Sequence, residues 1–425
     1  MDDLRIAHIV VEVPWPPDKG GKVSFLNHIR ELSGSPGVSS SLVLLDADGD
    51  RADQAGHFRD MGLETAVFPR SLPHVSEGFA AGLRALGSFL ASPKPRICRV
   101  RKSGAAVAHV RELLGRGLDA IVFEHISGME MIPREAFGRV PVICVTHNVE
   151  RRVALDQFRS QGVLSPLRAF FLGEYLKTVL YERRLMKRVS AVISISECDA
   201  AWYSSTYRGA RIVVTDEPIP SREQRWRGSD SGRRLLFIGS HRYFPNLDAM
   251  RWLAGGFVPA LRRLDPAAML SVCGISEAEA GALGISREGI EYLGFVDEDA
   301  LPRLHCSHDL YICPIRLGSG IKMKILDAMS YLMPVAAVPQ SLSGITAGGP
   351  LPCLDFDDPS ASAERVAGLL RDRSALQAMS DRTGEALVEY RRTRRDFAGA
   401  VRKALGPLPG NDGALPLGRG GVILA

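Results

Sequence analysis

The stretch PIRLGSGIKMKILDAMSYLMP, residues 314–334, joins an apolar strand pattern to a helical pattern through a short turn. The apolar residues 310–313 precede it, and a Gly-Ser-Gly turn occupies residues 318–320. Apolar residues then recur at helical spacing over residues 321–332. A strand that runs through glycines into a helix is the repeating unit of parallel α/β sheets, so this stretch predicts that class of fold.

The same stretch carries the chemistry of an anion-binding site. Backbone N–H groups in the first turn of a helix lack intrahelical partners, and the helix dipole adds positive potential there. Lys322 and Lys324 lie in those turns, where a cation opposes the dipole unless an anion is bound. Asp327 would repel a bare phosphate, so it favours a ligand that also carries hydroxyls, such as a nucleotide. Ordinary solvated helix surface is the alternative explanation for the two lysines.

Length and composition predict a protein of two domains. With 425 residues the chain is too long for one ordinary core. Its 45% apolar and 24% charged residues are typical of a soluble globular protein, and no apolar run is long enough to span a bilayer. The net charge of +5 is compatible with an acidic ligand or an anionic membrane surface, but it does not indicate nucleic acid.

The first residues and the cysteines predict a cytoplasmic protein. The sequence MDDLRIAHIVVEV begins with acidic residues and continues directly into a strand pattern, without the order of features of a secretory signal. The seven cysteines form no CxxC motif and lie mostly in apolar runs. We therefore expect buried, reduced thiols.

Strand and helix patterns alternate in two series, which predicts two doubly wound parallel sheets. The first series contains the continuous apolar runs 118–124 and 140–146, and the second contains a predicted strand at 351–356. A polar segment without periodicity separates the two series. The predicted organisation is a domain over residues 1–220, a linker over 221–234, a domain over 235–390, a helix over 391–405 and a loose tail over 406–425.

Four further segments have a family signature in their order and spacing. They are PWPPDKGGKVSFLNHIREL (14–32), PVICVTHNVERR (141–152), AVISISECD (191–199) and LLFIGSHRYFPNLDAMRWL (235–253). A fifth, IEYLGFVDEDALPRLHCSHDLYICP (290–314), runs into the opening stretch. Together they resemble the retaining GT-B glycosyltransferases of family 4, the group 1 type, over nearly the whole chain.

The resemblance implies a GT-B fold, in which two Rossmann-like domains face a cleft and the C-terminal helix returns to the N-terminal domain. It implies an enzyme of the hexosyltransferase class that moves a sugar from a nucleotide-diphospho-sugar to a hydroxyl acceptor with retention of configuration. The C-terminal domain would hold the donor, and the N-terminal domain would hold a sugar, lipid-linked or small-molecule acceptor. The reaction would serve polysaccharide, glycolipid or other glycoconjugate synthesis, without a metal or other cofactor.

Two other functions stay open for a chain of this fold. One is a GT-B nucleotide-sugar epimerase, which needs no acceptor. The other is a catalytically silent GT-B scaffold that binds a sugar or a partner.

The resemblance also assigns roles to individual residues. The residues implied in catalysis are His147, Lys324 and Asp327. Those implied in donor binding are Gly20, Gly21, Gly239, Arg242, Gly318, Ser319, Gly320, Lys322, Lys324 and Asp327. Those implied at the acceptor or in the cleft are Asn148, Ser196 and Glu197.

Several of these residues have a structural explanation as well. The glycine pair at residues 20–21 suits a turn with positive φ. His147 ends a buried strand, where a histidine is often a structural hydrogen-bonding group, and Ser196 suits a helix N-cap.

The chain also departs from the family at several places, and two of them concern the donor site. Ser319 stands where many relatives carry the first of two glutamates. The basic pair usual after Gly239 is not cleanly present, because the chain has Ser240, His241, Arg242 and Asn246. Arg242, Lys322 and Lys324 are therefore the candidates to neutralise the diphosphate.

Two further patterns suggest other ligands. His305, Cys306, His308 and Asp309 are metal-ligand types at a loose spacing, and we predict no metal there. The segment 166–188 is apolar on one face and basic towards its end, and another basic cluster follows Pro95. It predicts either peripheral contact with an anionic membrane or, as the alternative, a core-packed helix with a solvated basic face.

Overall fold

The computed structural model describes residues 3–17, 19–46, 54–70, 87, 89, 91–165, 167–285, 287–345, 349–350 and 352–406. The chain forms two compact units. The N-terminal unit comprises residues 1–217 together with 395–425, and the C-terminal unit comprises residues 218–394. Residues 407–425, most of the predicted loose tail, lie outside the described residues.

A parallel sheet of seven strands forms the centre of the N-terminal unit, in the order β3-β2-β1-β4-β5-β6-β7. The strands are β1 (Leu4–Val10), β2 (Val38–Asp46), β3 (Glu64–Pro69), β4 (Ala120–Glu124), β5 (Val142–Thr146), β6 (Ala191–Ser194) and β7 (Ile212–Val214). Strands β4 and β5 are buried throughout, which explains their continuous apolar sequences. The strand order reverses between β1 and β4, so this unit has its topological switch point there.

Helices flank this sheet. In the described residues before 217, the α-helices with defined bounds are α1 (Gly20–Ser33), α2 (Gln54–Asp60), α3 (Arg96–Val100), α4 (Gly104–Gly115), α5 (Glu150–Arg159), α6 (Leu167–Met186) and α7 (Glu197–Thr206). Short 3₁₀ helices occupy Ile126–Met131 and Arg134–Ala136. Helix α1 buries Phe25, Leu26, Ile29 and Leu32, whose spacing forms one apolar face.

The C-terminal unit is built on a parallel sheet of five strands in the order β10-β9-β8-β11-β12. The strands are β8 (Arg234–Ile238), β9 (Met269–Cys273), β10 (Ile290–Gly294), β11 (Leu310–Cys313) and β12 (Val335–Ala337). Its α-helices are α8 (Phe244–Trp252), α9 (Val258–Leu264), α10 (Glu277–Ala282), α11 (Leu301–Ser307), α12 (Met323–Ser330), α13 (Pro359–Arg371) and α14 (Arg373–Thr393). A π-helical turn at Leu253–Phe257 links α8 to α9, and 3₁₀ turns occupy Glu298–Ala300 and Pro339–Leu342.

The last helix of the described residues, α15 (Phe397–Leu405), returns to the N-terminal unit. Its residues Phe397 and Val401 are fully buried in a core cluster with Ile6 of β1 and Val145 of β5. The predicted helix 391–405 is thus divided, because α14 runs to residue 393 and α15 begins after an N-cap at Asp396. The side chain of Asp396 accepts a hydrogen bond from the N–H of residue 399, which marks the new helix start.

Two features of the C-terminal unit differ from the sequence expectations. The segment 221–234, expected to be a linker, belongs to this unit, because Trp226 is buried in its core and donates a 2.8 Å hydrogen bond to the carbonyl of His308. The strand predicted at 351–356 is wrong over residues 352–356, which have irregular structure; Leu351 lies outside the described residues. The side chains of Cys353 and Leu354 pack in the core of the unit, which explains the apolar pattern of this segment without a strand.

None of the helices in the described part of the chain combines the length and the hydrophobicity needed to cross a bilayer.

Candidate functional site

Two glycine-containing turns lie side by side at the switch point of the C-terminal sheet. Strands β8 and β11 are neighbours there, and the chain order runs outward from them in opposite directions. Gly239 follows β8, and residues 318–320 lie in the loop after β11. In doubly wound sheets ligands bind beyond the carboxyl ends of strands at such a point, so these turns are the first candidate site.

A side chain at Gly239 would displace the ends of two neighbouring side chains. A Cβ atom there would lie 2.7 Å from Lys324 Nζ and 2.8 Å from the amide group of Asn246. Its neighbour Gly274 has a φ of +100°, and a Cβ on that residue would lie 2.3 Å from the carbonyl oxygen of Gly239. Position 274 therefore requires glycine, and the backbone at Gly239 lies next to a cationic side chain.

The Gly-Ser-Gly turn is held by the first of the two lysines. Gly318 and Gly320 have φ values of +78° and +77°, a conformation that favours glycine. Lys322 Nζ donates hydrogen bonds to the carbonyl oxygens of Ser319 (3.2 Å) and Gly320 (3.1 Å). Lys322 thus stabilises the turn itself.

Lys324 is the cation that adjoins the turn at Gly239. Its Nζ donates a 2.6 Å hydrogen bond to Asn246 Oδ1 and lies 5.1 Å from the ring centroid of Phe237. Burial lowers the pKa of Lys324 to about 8, with a further decrease from the charge of Lys322. An anion bound beside Gly239 would offset this desolvation and favour the charged ammonium form.

Asp327, on the same helix α12, is an ionised carboxylate with two partners. Its Oδ2 lies 3.2 Å from His305 Nε2, and its Oδ1 accepts a 3.3 Å hydrogen bond from Arg222 Nη2. Burial alone would raise the pKa of Asp327, but His305 and Arg222 lower it below its ordinary value. About a third of the side chain (33%) is exposed, so the carboxylate is accessible to hydroxyl groups.

Arg242 is placed differently from the two lysines. It is exposed, and its guanidinium carbon lies 5.6 Å from the ring centroid of Phe295. Its backbone N–H donates a 3.3 Å hydrogen bond to Ser240 Oγ, which stabilises the turn after β8.

The residues of the HxxH segment have separate partners. His305 contacts Asp327, whereas His308 lies 2.8 Å from the carbonyl oxygen of Leu304 and 2.9 Å from Ser271 Oγ. Asp309 accepts hydrogen bonds from the backbone N–H groups of residues 229 and 234. These interactions explain the residue types without a metal.

In the N-terminal unit, His147 directly follows β5 and has a partner on each ring nitrogen. Its Nε2 lies 2.7 Å from Glu124 Oε2, and its Nδ1 lies 3.2 Å from Ser24 Oγ. The ring of Phe25 meets it edge to face, with 4.8 Å between the centroids. The side chain is 10% exposed. His147 is therefore embedded in a hydrogen-bonded cluster at the carboxyl edge of the sheet.

The other residues expected in this unit lie around the same sheet edge. Gly20 and Gly21 begin α1 and have no positive φ, so the turn explanation for this pair is wrong. Ser196 caps α7, accepting a 3.4 Å hydrogen bond from the N–H of Asp199.

The remaining two expected residues have partners of their own. Glu197 accepts a 2.8 Å hydrogen bond from Arg395. The Asn148 side chain hydrogen-bonds Glu150, whose pKa burial would raise but His125 and Asn148 lower.

The sequence analysis did not single out the charged partners of His147. Glu124 accepts from three histidines, since His8 Nε2 and His28 Nδ1 each lie 3.0 Å from its Oε1. Glu217 binds Ser24 and lies 3.4 Å from His28 Nε2. Two features of the sequence could have indicated these partners. Glu124 is a charged residue at the end of the apolar run LDAIVFE, and His28 lies on the apolar face of α1.

The same cluster is the one place in the described part of the chain where three ligand atoms converge in a way that suits a metal. One atom each from His28, Glu124 and His147 lie within 4.8 Å of one another. In this cluster the imidazole nitrogens of His28 and His147 lie at hydrogen-bonding distance from the Glu124 carboxylate. Hydrogen bonds from imidazole N–H groups to this carboxylate therefore account for the arrangement.

An apolar strip on α6 is exposed. Leu172, Leu176 and Leu180 recur at intervals of four residues, and Leu176 is 52% exposed. The opposite face of the helix is anchored in the unit by Tyr181 and Leu185. Arg99, from the basic cluster after Pro95, lies 3.5 Å from Glu174 of α6. Both basic segments therefore adjoin this helix.

Comparison with known proteins agrees with this architecture. Residues 232–372 match the family model described as glycosyl transferases group 1. No curated protein matches the sequence significantly.

Solved structures similar to this chain include three that align along almost its full length. TarM from S. aureus, in complex with fondaparinux, α-GlcNAc-glycerol and UDP, is 10% identical with a TM-score of 0.62 and covers 95% of this chain and 100% of its own. HepE from Anabaena, in complex with UDP and glucose, is 13% identical with a TM-score of 0.59, and the alignment covers 94% of this chain and 98% of HepE. Sucrose-phosphate synthase from Thermosynechococcus elongatus is 12% identical with a TM-score of 0.61, and the alignment covers 94% of this chain and 97% of the synthase. The chain therefore has the GT-B fold.

Proposed function

We propose that this protein is a glycosyltransferase that uses a nucleotide-diphospho-sugar as donor and a hydroxyl group as acceptor. The observation that carries the proposal is the arrangement of Lys324 and Asp327 on helix α12, behind two glycine turns at the switch point of the C-terminal sheet. The segment that matches glycosyl transferases group 1 contains all of these groups.

The two charged residues suit two parts of one ligand. Lys324 and the backbone around residues 318–320 offer positive potential to a diphosphate. Asp327, ionised and partly exposed, offers acceptors to the hydroxyls of a ribose. Lys324 and Asp327 are about one turn apart on α12, so both lie on the same side of the helix and can contact one ligand. A ligand that carries both phosphates and hydroxyls, such as a nucleotide, fits this pair better than a bare phosphate does.

The chemistry asked of these groups is electrostatic. Cleavage of the bond between sugar and phosphate builds negative charge on the leaving diphosphate. A protonated Lys324 and the amides of the turn would stabilise that charge more strongly than they stabilise the intact donor. Lys322 would contribute indirectly, because its ammonium holds the turn carbonyls.

The nucleotide proposed first is UDP. Both the TarM and the HepE structures are complexes with UDP. The HepE complex also contains glucose, which supports a hexose as the sugar transferred.

Three finer parts of the proposal rest on the family resemblance. They are membership of family 4, retention of the anomeric configuration, and a reaction without a metal or other cofactor. We propose them together, because in that family the leaving phosphate is considered to assist the acceptor on the same face of the sugar. NMR of the first-formed product would determine the configuration.

We further propose peripheral contact with an anionic membrane through α6. Exposed leucines at residues 172, 176 and 180 would enter the acyl boundary, while Arg183 and Arg184 would remain among the headgroups. A lipid-linked acceptor would then be presented at the membrane surface.

The seven cysteines are all free thiols, which supports a reducing compartment such as the cytoplasm.

A donor screen tests the proposal. The purified protein is incubated with UDP-, GDP- and ADP-sugars, with and without simple hydroxyl acceptors, and nucleoside diphosphate release is measured. We expect release from at least one donor, with Lys324→Met as the inactive control. Isomerisation of the donor without an acceptor requirement would instead assign a GT-B epimerase. Failure of every nucleoside diphosphate to bind in calorimetry would refute the enzyme assignment and favour a silent scaffold.

A further inference from the structure

The core of the N-terminal unit contains a chain of ionisable side chains. These side chains come from strand β1, helix α1, strand β4, the position directly after β5, and the end of the segment 1–217. Its members are His8, Ser24, His28, Glu124, His147 and Glu217. All except His147 are fully buried. Charged groups in a core carry a large desolvation cost, so a cluster of this size calls for an explanation beyond stability.

The two carboxylates at the centre of the cluster are ionised. Burial would raise the pKa of Glu124, but His28, His147 and His8 together lower it well below the ordinary value for a glutamate. Burial would likewise raise the pKa of Glu217, and His28 lowers it. Ionised carboxylates only accept hydrogen bonds, so every group that contacts Glu124 or Glu217 must supply the hydrogen.

His28 is the first counter-charge. It lies between the two carboxylates, with Nδ1 3.0 Å from Glu124 Oε1 and Nε2 3.4 Å from Glu217 Oε1. Burial alone would lower the pKa of His28, but the two carboxylates raise it to about 10. One negative charge then remains to be balanced within the cluster.

The hydrogen-bond partners of His147 indicate which side chain carries the second positive charge. The contact of 2.7 Å with the Glu124 carboxylate requires hydrogen on Nε2 of His147. The hydroxyl of Ser24 donates its only hydrogen to Glu217, so its oxygen can only accept from Nδ1 of His147. Both ring nitrogens of His147 therefore carry hydrogen.

We propose that His147 is held as an imidazolium cation, and that Glu124 and the Ser24–Glu217 pair are its positioning residues. The imidazolium rings of His28 and His147 then balance the charges of the Glu124 and Glu217 carboxylates. Because both N–H groups point at internal acceptors, His147 acts on a ligand through its fixed positive charge and not by donating a hydrogen bond from either nitrogen. The catalytic part of this inference rests on the proposed glycosyltransferase function, whereas the charge state of His147 does not.

The charge state is tested by NMR, without any activity measurement. The protein is labelled with ¹⁵N-histidine, and long-range ¹H–¹⁵N spectra are recorded at pH 7.5, with a His147→Gln variant to assign the signals. We expect both nitrogens of His147 in the protonated range, and loss of that state in Glu124→Gln. A neutral tautomer of His147 in the wild type would overturn the inference. Stoichiometric divalent metal in the purified protein, bound through deprotonated ring nitrogens, would overturn it as well.

The positioning role is tested by kinetics with a matched control. Glu124→Gln keeps the shape and a hydrogen-bonding oxygen but removes the charge, and we expect it to lower kcat about 10–100-fold with little change in the donor KM. Glu182→Gln is the control, since Glu182 is also a buried glutamate of this unit but contacts Tyr203 and Tyr207 instead. Glu124→Asp should recover part of the activity. Wild-type kcat in a folded Glu124→Gln protein would contradict the positioning role even if the proposed function holds.

Discussion

The ammonium group of Lys324 donates a 2.6 Å hydrogen bond to the side-chain oxygen of Asn246, at the point where a Cβ on Gly239 would fall. Many members of the family that the sequence resembles carry a second cation near the position of Asn246. Here a neutral amide at that position accepts the hydrogen bond from Lys324. The first two predictions concern this pair.

Replacement of Lys324 by methionine should weaken nucleoside diphosphate binding by about 30-fold or more, because truncating one partner of a desolvated charge pair costs roughly 2–5 kcal/mol. The pKa of about 8 adds a pH signature. In the free wild-type protein Lys324 loses its proton as pH rises through 8, so affinity should fall above that value. Calorimetry between about pH 7 and 9.5 measures both effects, and the methionine variant should have a flat profile. Lys322→Met is the control, with a smaller loss.

A side chain at position 239 should displace the lysine. Gly239→Ala places a Cβ within 2.7 Å of Lys324 Nζ and 2.8 Å of Asn246, so the pair must separate. We expect weaker nucleoside diphosphate binding with a nearly unchanged melting temperature. Gly281→Ala serves as the control, because a Cβ there meets nothing within 4 Å. Equal affinities in the two variants would contradict the close approach of ligand to Gly239.

Asp327→Asn should separate recognition of the ribose from recognition of the phosphates. The neutral amide is a poorer acceptor for two hydroxyls, so affinity for a nucleoside diphosphate should fall by roughly tenfold or more. Affinity for inorganic pyrophosphate should stay the same or rise, because a negative charge near the anion has been removed. Parallel losses for both ligands would place Asp327 at the phosphates instead.

His28→Gln should destabilise the N-terminal unit by about 3–5 kcal/mol, because it leaves two buried carboxylates with one counter-charge fewer. The folded-state pKa of about 10 lies above the ordinary 6.5, so the native state binds the extra proton between these values. The stabilisation is complete below pH 6.5 and is lost as pH rises towards 10. Urea unfolding of wild type and variant over that range should show a difference that narrows with pH. A constant difference would indicate that His28 is uncharged in the fold.

Replacement of Leu172, Leu176 and Leu180 by glutamine should abolish binding to anionic vesicles. Burial of each leucine contributes about 1.5–3 kcal/mol, or roughly 4.5 kcal/mol or more for all three, so the triple variant should lose about 1,000-fold or more in partitioning. Co-sedimentation with phosphatidylglycerol vesicles measures the effect, and phosphatidylcholine vesicles report the contribution of charge. Val388→Gln, which removes an exposed apolar residue of the other unit, should bind as the wild type does. Absence of wild-type binding to either vesicle would refute the membrane contact.

The sequence was sufficient for the alternating α/β pattern, because both sheets are parallel and their buried strands are continuous apolar runs. It failed at residues 352–356, where apolar residues pack in the core without pairing as a strand. Local pattern does not distinguish these two ways of burying a side chain.

Some features of the candidate site follow from local sequence, and others depend on the folded arrangement. Glycine turns and a helix N-terminus are local, so Gly239 and residues 318–320 could be identified from sequence. The different roles of Lys322 and Lys324 could not, because they depend on which oxygen each ammonium reaches in space. The Glu124 cluster joins His28 to Glu124, 96 positions apart, and Ser24 to Glu217, 193 positions apart, and no spacing rule connects such residues.

The return of α15 to the N-terminal unit has a consequence for biosynthesis. Phe397 stacks on His28 with 4.1 Å between ring centroids, so the last helix covers the charged cluster formed by much earlier residues. A ribosome makes the whole C-terminal unit before that helix emerges. The nascent N-terminal unit must therefore persist with an open apolar face until translation passes residue 405, a period in which chaperones have access to it.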